Sequence, residues 1–314
     1  SFTQAVTYDA LNRPVQTTLP DATVLKATYN NAGLLEQVEA QVRGDTSWTS
    51  FVTSIDYNAK GQRLSIVYGS GVTTSYTYEV ETFRLATLTS VRSSDSKKLQ
   101  DLSYYYHPVG NIAEIQDAAQ REVFFNNSQV SPHAKYEYDP LYRLVTAEGR
   151  EHARSGSSWQ PDHSQSTPET SIPCDQVLRL FTENYTYDAV GNITEMDHDA
   201  TDGNWTRTYS YVSGTNRLSS TTPSVTYSHD ASGNMTDIGP HTDSVAWDHD
   251  NQMAHVDLTA SGEDVYFAYD GGGQRVRKVY VHGNHVDERI YLGGYEVYRH
   301  TVSGGSKTER QTFH

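Results

Sequence analysis

The sequence predicts an all-β fold built from successive antiparallel hairpins, on three observations. An aromatic-Asp turn signature recurs along the whole chain, the segments between turns alternate with the period of a strand, and no long helical period breaks the pattern. Composition agrees. The 314 residues include 23 tyrosines and 22 glycines, and only 36% are hydrophobic even with tyrosine counted. Aliphatic content is thus below that of an ordinary globular chain. Extended sheet with a partly polar second face accommodates that shortage, and the 11% of aromatic residues argues against disorder.

The repeat is an aromatic residue followed by Asp or Asn, a short turn with Gly, then a polar and an aliphatic residue. In chain order it reads Tyr8-Asp9 with Arg13, Tyr29-Asn30 with Gly33, Tyr57-Asn58 with Gly61, Tyr106-His107 with Gly110, and Tyr138-Asp139 with Arg143. It continues as Tyr187-Asp188 with Gly191, His229-Asp230 with Gly233, Trp247-Asp248 with Asn251, and Tyr269-Asp270 with Gly273. Weaker copies stand at Tyr78, Tyr211 and Tyr291. The eleven intervals from Tyr8 to Tyr291 average about 26 residues and range from 18 to 49, too uneven for a strict solenoid or a propeller.

Each copy makes sense as a hairpin. Asp at the head of a turn hydrogen-bonds its own downstream backbone, and Gly supplies a positive φ. The tyrosine favours a strand, buries a large apolar ring and keeps a polar tip, so equivalent tyrosines are expected to stack as a ladder that fixes register. The structural signature is therefore assigned to Tyr8, Asp9, Tyr57, Gly61, Tyr138, Asp139, Tyr187, Asp188, Gly191, Asp230, Gly233, Tyr269, Asp270 and Gly273. Val at Gly191 or Gly233 is expected to damage folding, and Val at Gly156 to be nearly silent. One region covers 1–314, with an inserted irregular loop at 149–181 rich in Gly, Ser, Pro and His.

Charge and motifs exclude several functions. A net charge of −15, from 24 Lys and Arg against 39 Asp and Glu, argues against nucleic acid. The single cysteine, Cys174, closes no intrachain disulfide and sits in no zinc-like array. No apolar run reaches membrane-spanning length, no signal peptide is present, and both ends read as internal to a longer chain.

Gly304-Gly305-Ser306-Lys307-Thr308 lacks the spacing of a phosphate loop and reads as a turn. Asp197-His198-Asp199 and Asp248-His249-Asp250 put their histidine on the opposite strand face from their carboxylates, and with the pair His282 and His285 they read as sheet or turn residues instead of metal ligands. The N-x-Thr or N-x-Ser sites at Asn126, Asn184, Asn192, Asn204 and Asn234 are incidental, two of them arising from the repeat itself. The recurring aspartates suit turn geometry better than acid catalysis, because a catalytic acid has no reason to recur in every unit. No catalytic, cofactor or metal residue is assigned, and the chain is read as non-enzymatic.

The Tyr-Asp-x-x-Gly units resemble the YD repeats of RHS proteins, which the toxin-complex C component and the animal teneurins share in looser form. The phrases Ile55-Asp56-Tyr57-Asn58-Ala59-Lys60-Gly61-Gln62-Arg63 and Tyr291-Leu292-Gly293-Gly294-Tyr295-Glu296 are similar to segments found upstream of the RHS core in bacterial RHS and insecticidal-toxin proteins. The resemblance implies a sheet that spirals into a hollow shell enclosing a C-terminal toxin domain of the same polypeptide, delivered out of a bacterial cell with other toxin-complex subunits. The autoproteolytic core lies outside these residues. A water-filled lumen relieves the sheet of any need for a wide dry core, which answers the composition. The rival readings are a carbohydrate or cell-surface binding module that uses exposed Tyr and Trp, and, less favoured, a β-rich glycosidase.

Overall fold

A computed structural model describes residues 3–125, 127–152, 178–201, 203–239, 242–258, 262–305 and 307–313. Its strands lie in antiparallel sheets, and among the described residues the only helical element is a 3-10 turn at Val42–Gly44. The chain divides into two compact units, Ser1–Thr206 and Arg207–His314, and the repeat runs through both.

In the first unit each strand pairs with the next in sequence. The ladder runs Ala5–Tyr8, Pro14–Thr18, Val24–Tyr29, Leu35–Gln41, Thr49–Tyr57, Arg63–Tyr68, Val72–Tyr78, Leu85–Arg92, Lys97–Tyr106 and Ile112–Asp117. A small separate hairpin, Val123–Phe125 with Ser128–Val130, then leaves the sheet, and the ladder resumes with His133–Tyr138, Leu144–His152, Leu178–Tyr187 and Ile193–Ala200. In the second unit, short pairings among Leu218–Thr221, Val225–Thr226, Ser228–His229 and Met235–Asp237 precede seven consecutive strands from Thr242–Trp247 to Lys307–Phe313.

Sequential pairing is what short turns impose, because a strand leaving a tight turn has its predecessor as the nearest unsatisfied edge. Among the described residues, buried apolar side chains are few: Leu19, Ala40, Ile55, Ile66, Val130, Ala147 and Ala200 in the first unit, and Val245, Val256, Val265, Tyr295 and Val297 in the second. Val245, Val256 and Val265 sit on adjacent strands and gather Trp247, Met253, Leu258, Phe267 and Tyr280 around them. Elsewhere polar pairs occupy sheltered positions, as where the hydroxyls of Thr74 and Ser90 meet at 2.8 Å.

The irregular loop expected at 149–181 is narrower at both ends. Gly149–His152 continue a strand and pair with Leu178–Phe181. Alternation of apolar residues is hidden there because the buried position is filled by Arg179, which is 2% exposed and held by Glu151. Gly149 also lacks a side chain to read, and faces the ring of Phe181. The rest of that segment, with Gly156 and Cys174, lies outside the described residues, as does Asn126.

Candidate functional site

The element that recurs is the turn. In copy after copy the backbone N–H of the Asp or Asn position donates to the carbonyl four residues on, and the N–H three residues on donates back to the Asp or Asn carbonyl: Asp9, Asn30, Asn58, Asp139, Asp188, Asp230, Asp248 and Asp270 all head such turns. Their side chains close the loop from within. Oδ1 of Asp188 accepts N–H groups of Val190 and Asn192 at 3.0 and 2.8 Å, and Asp9, Asn30, Asn58, Asp139, Asp248 and Asp270 make the same pair of bonds two and four residues on.

The residue three after the Asp always has positive φ. Glycine fills that place at Gly33, Gly61, Gly110, Gly191, Gly233 and Gly273, while Asn12, Tyr142 and Asn251 take it with φ near +60°. Two weak copies have neither Asp nor Asn at that place and take a longer loop: Glu79 N–H reaches Arg84, and Val212 N–H reaches Arg217, each five residues on. The internal acceptor is not indispensable, since His107 heads a tight loop without one, closed by the same two backbone bonds to Asn111 and from Gly110.

Ionisation follows from these bonds. Asp9 and Asp139 are held below the ordinary carboxylate range, first by the N–H of Arg13 and of Arg143. Asp230 is lowered first by the Asn234 amide. At Asp188 burial pushes the other way, and the bonds from Asn192, Val190 and Gly191 outweigh it.

The tyrosine before each turn binds the preceding hairpin. Its phenol donates to the carbonyl of the first residue after the earlier turn: Tyr29 to Pro14, Tyr57 to Leu35, Tyr78 to Arg63, Tyr106 to Leu85, Tyr138 to Ile112 and Tyr187 to Leu144, at 2.6 to 2.9 Å. The second unit repeats this with Tyr269 to Met253, and with the indole N–H of Trp247 to Met235. Burial raises the pKa of Tyr106, Tyr138 and Tyr187, keeping each phenol a donor. The expected ladder of ring upon ring is therefore realised differently: what ties each of these rings to the unit before it is a hydrogen bond to backbone.

The fourth residue after the Asp supplies a second tie. Arg13 binds Asp9 at 2.6 Å and lies over the ring of Tyr29, and Arg143 binds Asp139 and lies over Tyr187. Neighbouring turns are bonded directly as well: Gln62 to the Phe83 carbonyl, Arg84 to that of His107, and Arg143 to that of Asp188. Of the glycosylation-like asparagines, Asn192 and Asn234 spend their amides on Asp188 and Asp230, and Asn204 accepts from the Ala200 N–H.

Histidines outside the repeat are packed into the sheets. His198 lies flat between Phe181 and Trp205, at 5.3 and 5.0 Å, with Glu183 and Glu151 on its two nitrogens. Tyr280, His282, His285 and His300 form a file of rings 4.4 to 5.2 Å apart, and Asp287 accepts from His282, His300 and Tyr298. His249 is exposed beside Asp250, and Gly304 turns a hairpin. Among the described residues no group of three His, Cys, Asp or Glu side chains is placed to hold a metal ion, and no helix is long and apolar enough to cross a membrane. The phenol-to-carbonyl bonds and the Arg179–Glu151 pair left no mark in the sequence, which singled out His282 and His285 but not the file they form with Tyr280 and His300; only the regular Arg, Gln or Asn four residues after the Asp hinted at the turn-to-turn bonds.

No established family profile matches the chain. Two toxin subunits of Yersinia entomophaga are similar to it: YenC2, 33% identical over 300 residues, and YenC1, 32% identical over 302. These alignments take in 89% and 90% of this chain and 30% of each relative. Among solved structures, the TcdB2–TccC3 complex superposes with a TM-score of 0.86 at 28% identity, over 99% of this chain and 16% of the other. The Photorhabdus luminescens Tc holotoxin pore gives 0.87 at 29% identity, over 99% and 15%. The chain thus spans less than a third of the length of these relatives.

Proposed function

Because this YD-repeat (RHS-repeat) chain is homologous to the Yersinia entomophaga toxin subunits and shares the fold found in the TccC3-containing complexes, we propose that it is a length of wall in a shell that encloses a C-terminal toxin domain of the same polypeptide until delivery. Its role is structural and non-catalytic, and its partners are that enclosed domain and other toxin-complex subunits. The whole polypeptide leaves the bacterial cell as part of the toxin.

The observation that carries the reading is the two-point tie between successive hairpins. A wall around a lumen has little dry core, so cohesion must pass from hairpin to hairpin, and here it does so through a phenol bonded to the preceding strand and a side chain bonded across turns. Each phenol bond contributes on the order of 1 kcal/mol or less. Repetition turns that small sum into a continuous edge.

The test uses the full-length polypeptide, purified natively and sized, with mass spectrometry of its fragments. A cleaved C-terminal fragment that travels with the shell and is released only by denaturant is the expected result. An uncleaved protein with nothing enclosed overturns encapsulation and directs attention to surface recognition of glycans.

A further inference from the structure

In a chain of net charge −15, one cleft of about 590 Å³ in the first unit is lined by four cations, Lys97, Lys98, Arg121 and Arg150, and, among the described residues, by no carboxylate. It sits at the strand ends opposite the repeat turns, where the start of Lys97–Tyr106, the segment after Ile112–Asp117 and the end of Leu144–His152 come together.

The neighbouring charges show what is unusual about three of these four. Arg92, opposite Lys97 in the strand register, is paired with Asp95 at 2.6 Å, and Lys98 is paired with Asp101 at 2.6 Å. Among the described residues, Lys97, Arg121 and Arg150 have no carboxylate within ion-pair distance. Arg150 is nonetheless held in place. Its guanidinium donates to the Arg121 carbonyl at 3.1 Å and to the Gln120 side chain, two neutral acceptors that orient it and leave its charge uncompensated. Two of its five N–H donors are used in this way. Gathering like charges into a recess costs energy in the empty protein and raises the local concentration of any anion that enters.

We propose that this cleft binds a small ligand bearing two or more tetrahedral oxyanion groups, phosphate or sulfate. A fixed guanidinium with donors to spare matches the geometry of such a group, and exposed Lys97 and Arg121 supply charge at the mouth. The volume falls in the range of small-molecule sites and exceeds what one inorganic anion needs. The site is independent of the wall reading, since nothing in the repeat calls for it.

The experiment is isothermal titration calorimetry on the 314-residue chain at about 50 mM salt, a regime in which surface attraction is only partly screened. Tripolyphosphate and a trisulfated heparin disaccharide are the probes, with citrate as the carboxylate control. Saturable one-to-one binding is expected, weaker at higher salt and weakened at least tenfold by the double variant K97S/R121S and by R150Q. The control pair K26S/K60S is expected to bind as the unaltered chain does. Whichever probe binds more tightly assigns the source, a phosphorylated metabolite or a sulfated sugar. Lys97 and Arg121 are exposed, so their variant keeps the fold even where R150Q does not, and thermal unfolding checks both. Absence of saturable binding by both probes, an equal loss in the control pair, a loss below tenfold in K97S/R121S, or citrate binding as tightly as the better probe overturns the proposal.

Discussion

The two ends of the hairpins are held by different kinds of contact. At the repeat end every tie closes within five residues or reaches the adjacent hairpin, and the same atoms recur from Asp9 to Asp270. At the opposite end the contacts are unique. Arg179, His198, Glu151 and Glu183 interlock across residues 151 to 198, the file from Tyr280 to His300 includes two histidines bonded to Asp287, and the cationic cleft gathers Lys97, Arg121 and Arg150. Local, repeated chemistry sets the register; long-range chemistry, used once, gives each stretch of sheet its individual surface.

The sharpest test of that contrast lies at the unique end. Arg179→Met keeps bulk but leaves Glu151 without its guanidinium and frees the Thr201 carbonyl, so a loss of about 3 kcal/mol in urea unfolding is expected, as when one partner of a buried pair is removed. A loss under about 1 kcal/mol would mean that the network merely fills space. Next comes the backbone of the turn. Gly191 holds φ at +97° with nothing near its would-be side chain, so Gly191→Val is expected to cost about 2 kcal/mol through conformation alone. Gly191→Asn should cost well under half of that, because Asn12 and Asn251 occupy the same place in their own turns; equal losses would refute the conformational account.

Tyr187→Phe is smaller again. It deletes only the bond to the Leu144 carbonyl, for about 1 kcal/mol, and the hydrogen-exchange loss should centre on residues 144 and 187 instead of spreading through the unit. The smallest effect is one of pH. Asp188→Asn leaves an acceptor at Oδ1, as at Asn30 and Asn58, but replaces the Oδ2 that accepts from the Asn192 amide with a donor, so a small loss at pH 7 is expected. The folded carboxylate of Asp188 titrates below its ordinary value. Its ionised form therefore stabilises fully above about pH 4 and loses that contribution as pH falls through the folded pKa. The gap in denaturant midpoint between the two proteins should therefore close as pH falls through that range, and a gap that does not change with pH would refute the ionic contribution.

The turn could be read directly because its causes are adjacent in sequence. Tyr187, Asp188, Gly191 and Asn192 carry their own geometry, and a reader of the sequence can place Asp and Gly without knowing what lies beside them. The phenol's acceptor was not legible. Leu144 precedes Tyr187 by 43 residues, and a backbone carbonyl has no identity in the sequence. The strand at Leu178–Tyr187 was obscured for a related reason, since Arg179 looks like a solvent-facing residue until Glu151 is brought opposite it.

By itself, then, the sequence determined the hairpin, its turn chemistry, its recurrence and the absence of a large aliphatic core, all of which depend on residues within about five positions or on composition. Only the tertiary structure decided which atoms join one hairpin to the next, which charges are neutralised and which stand together in a cleft. Those outcomes depend on strand register. Register sums many weak pairings along the ladder, and no single residue announces it.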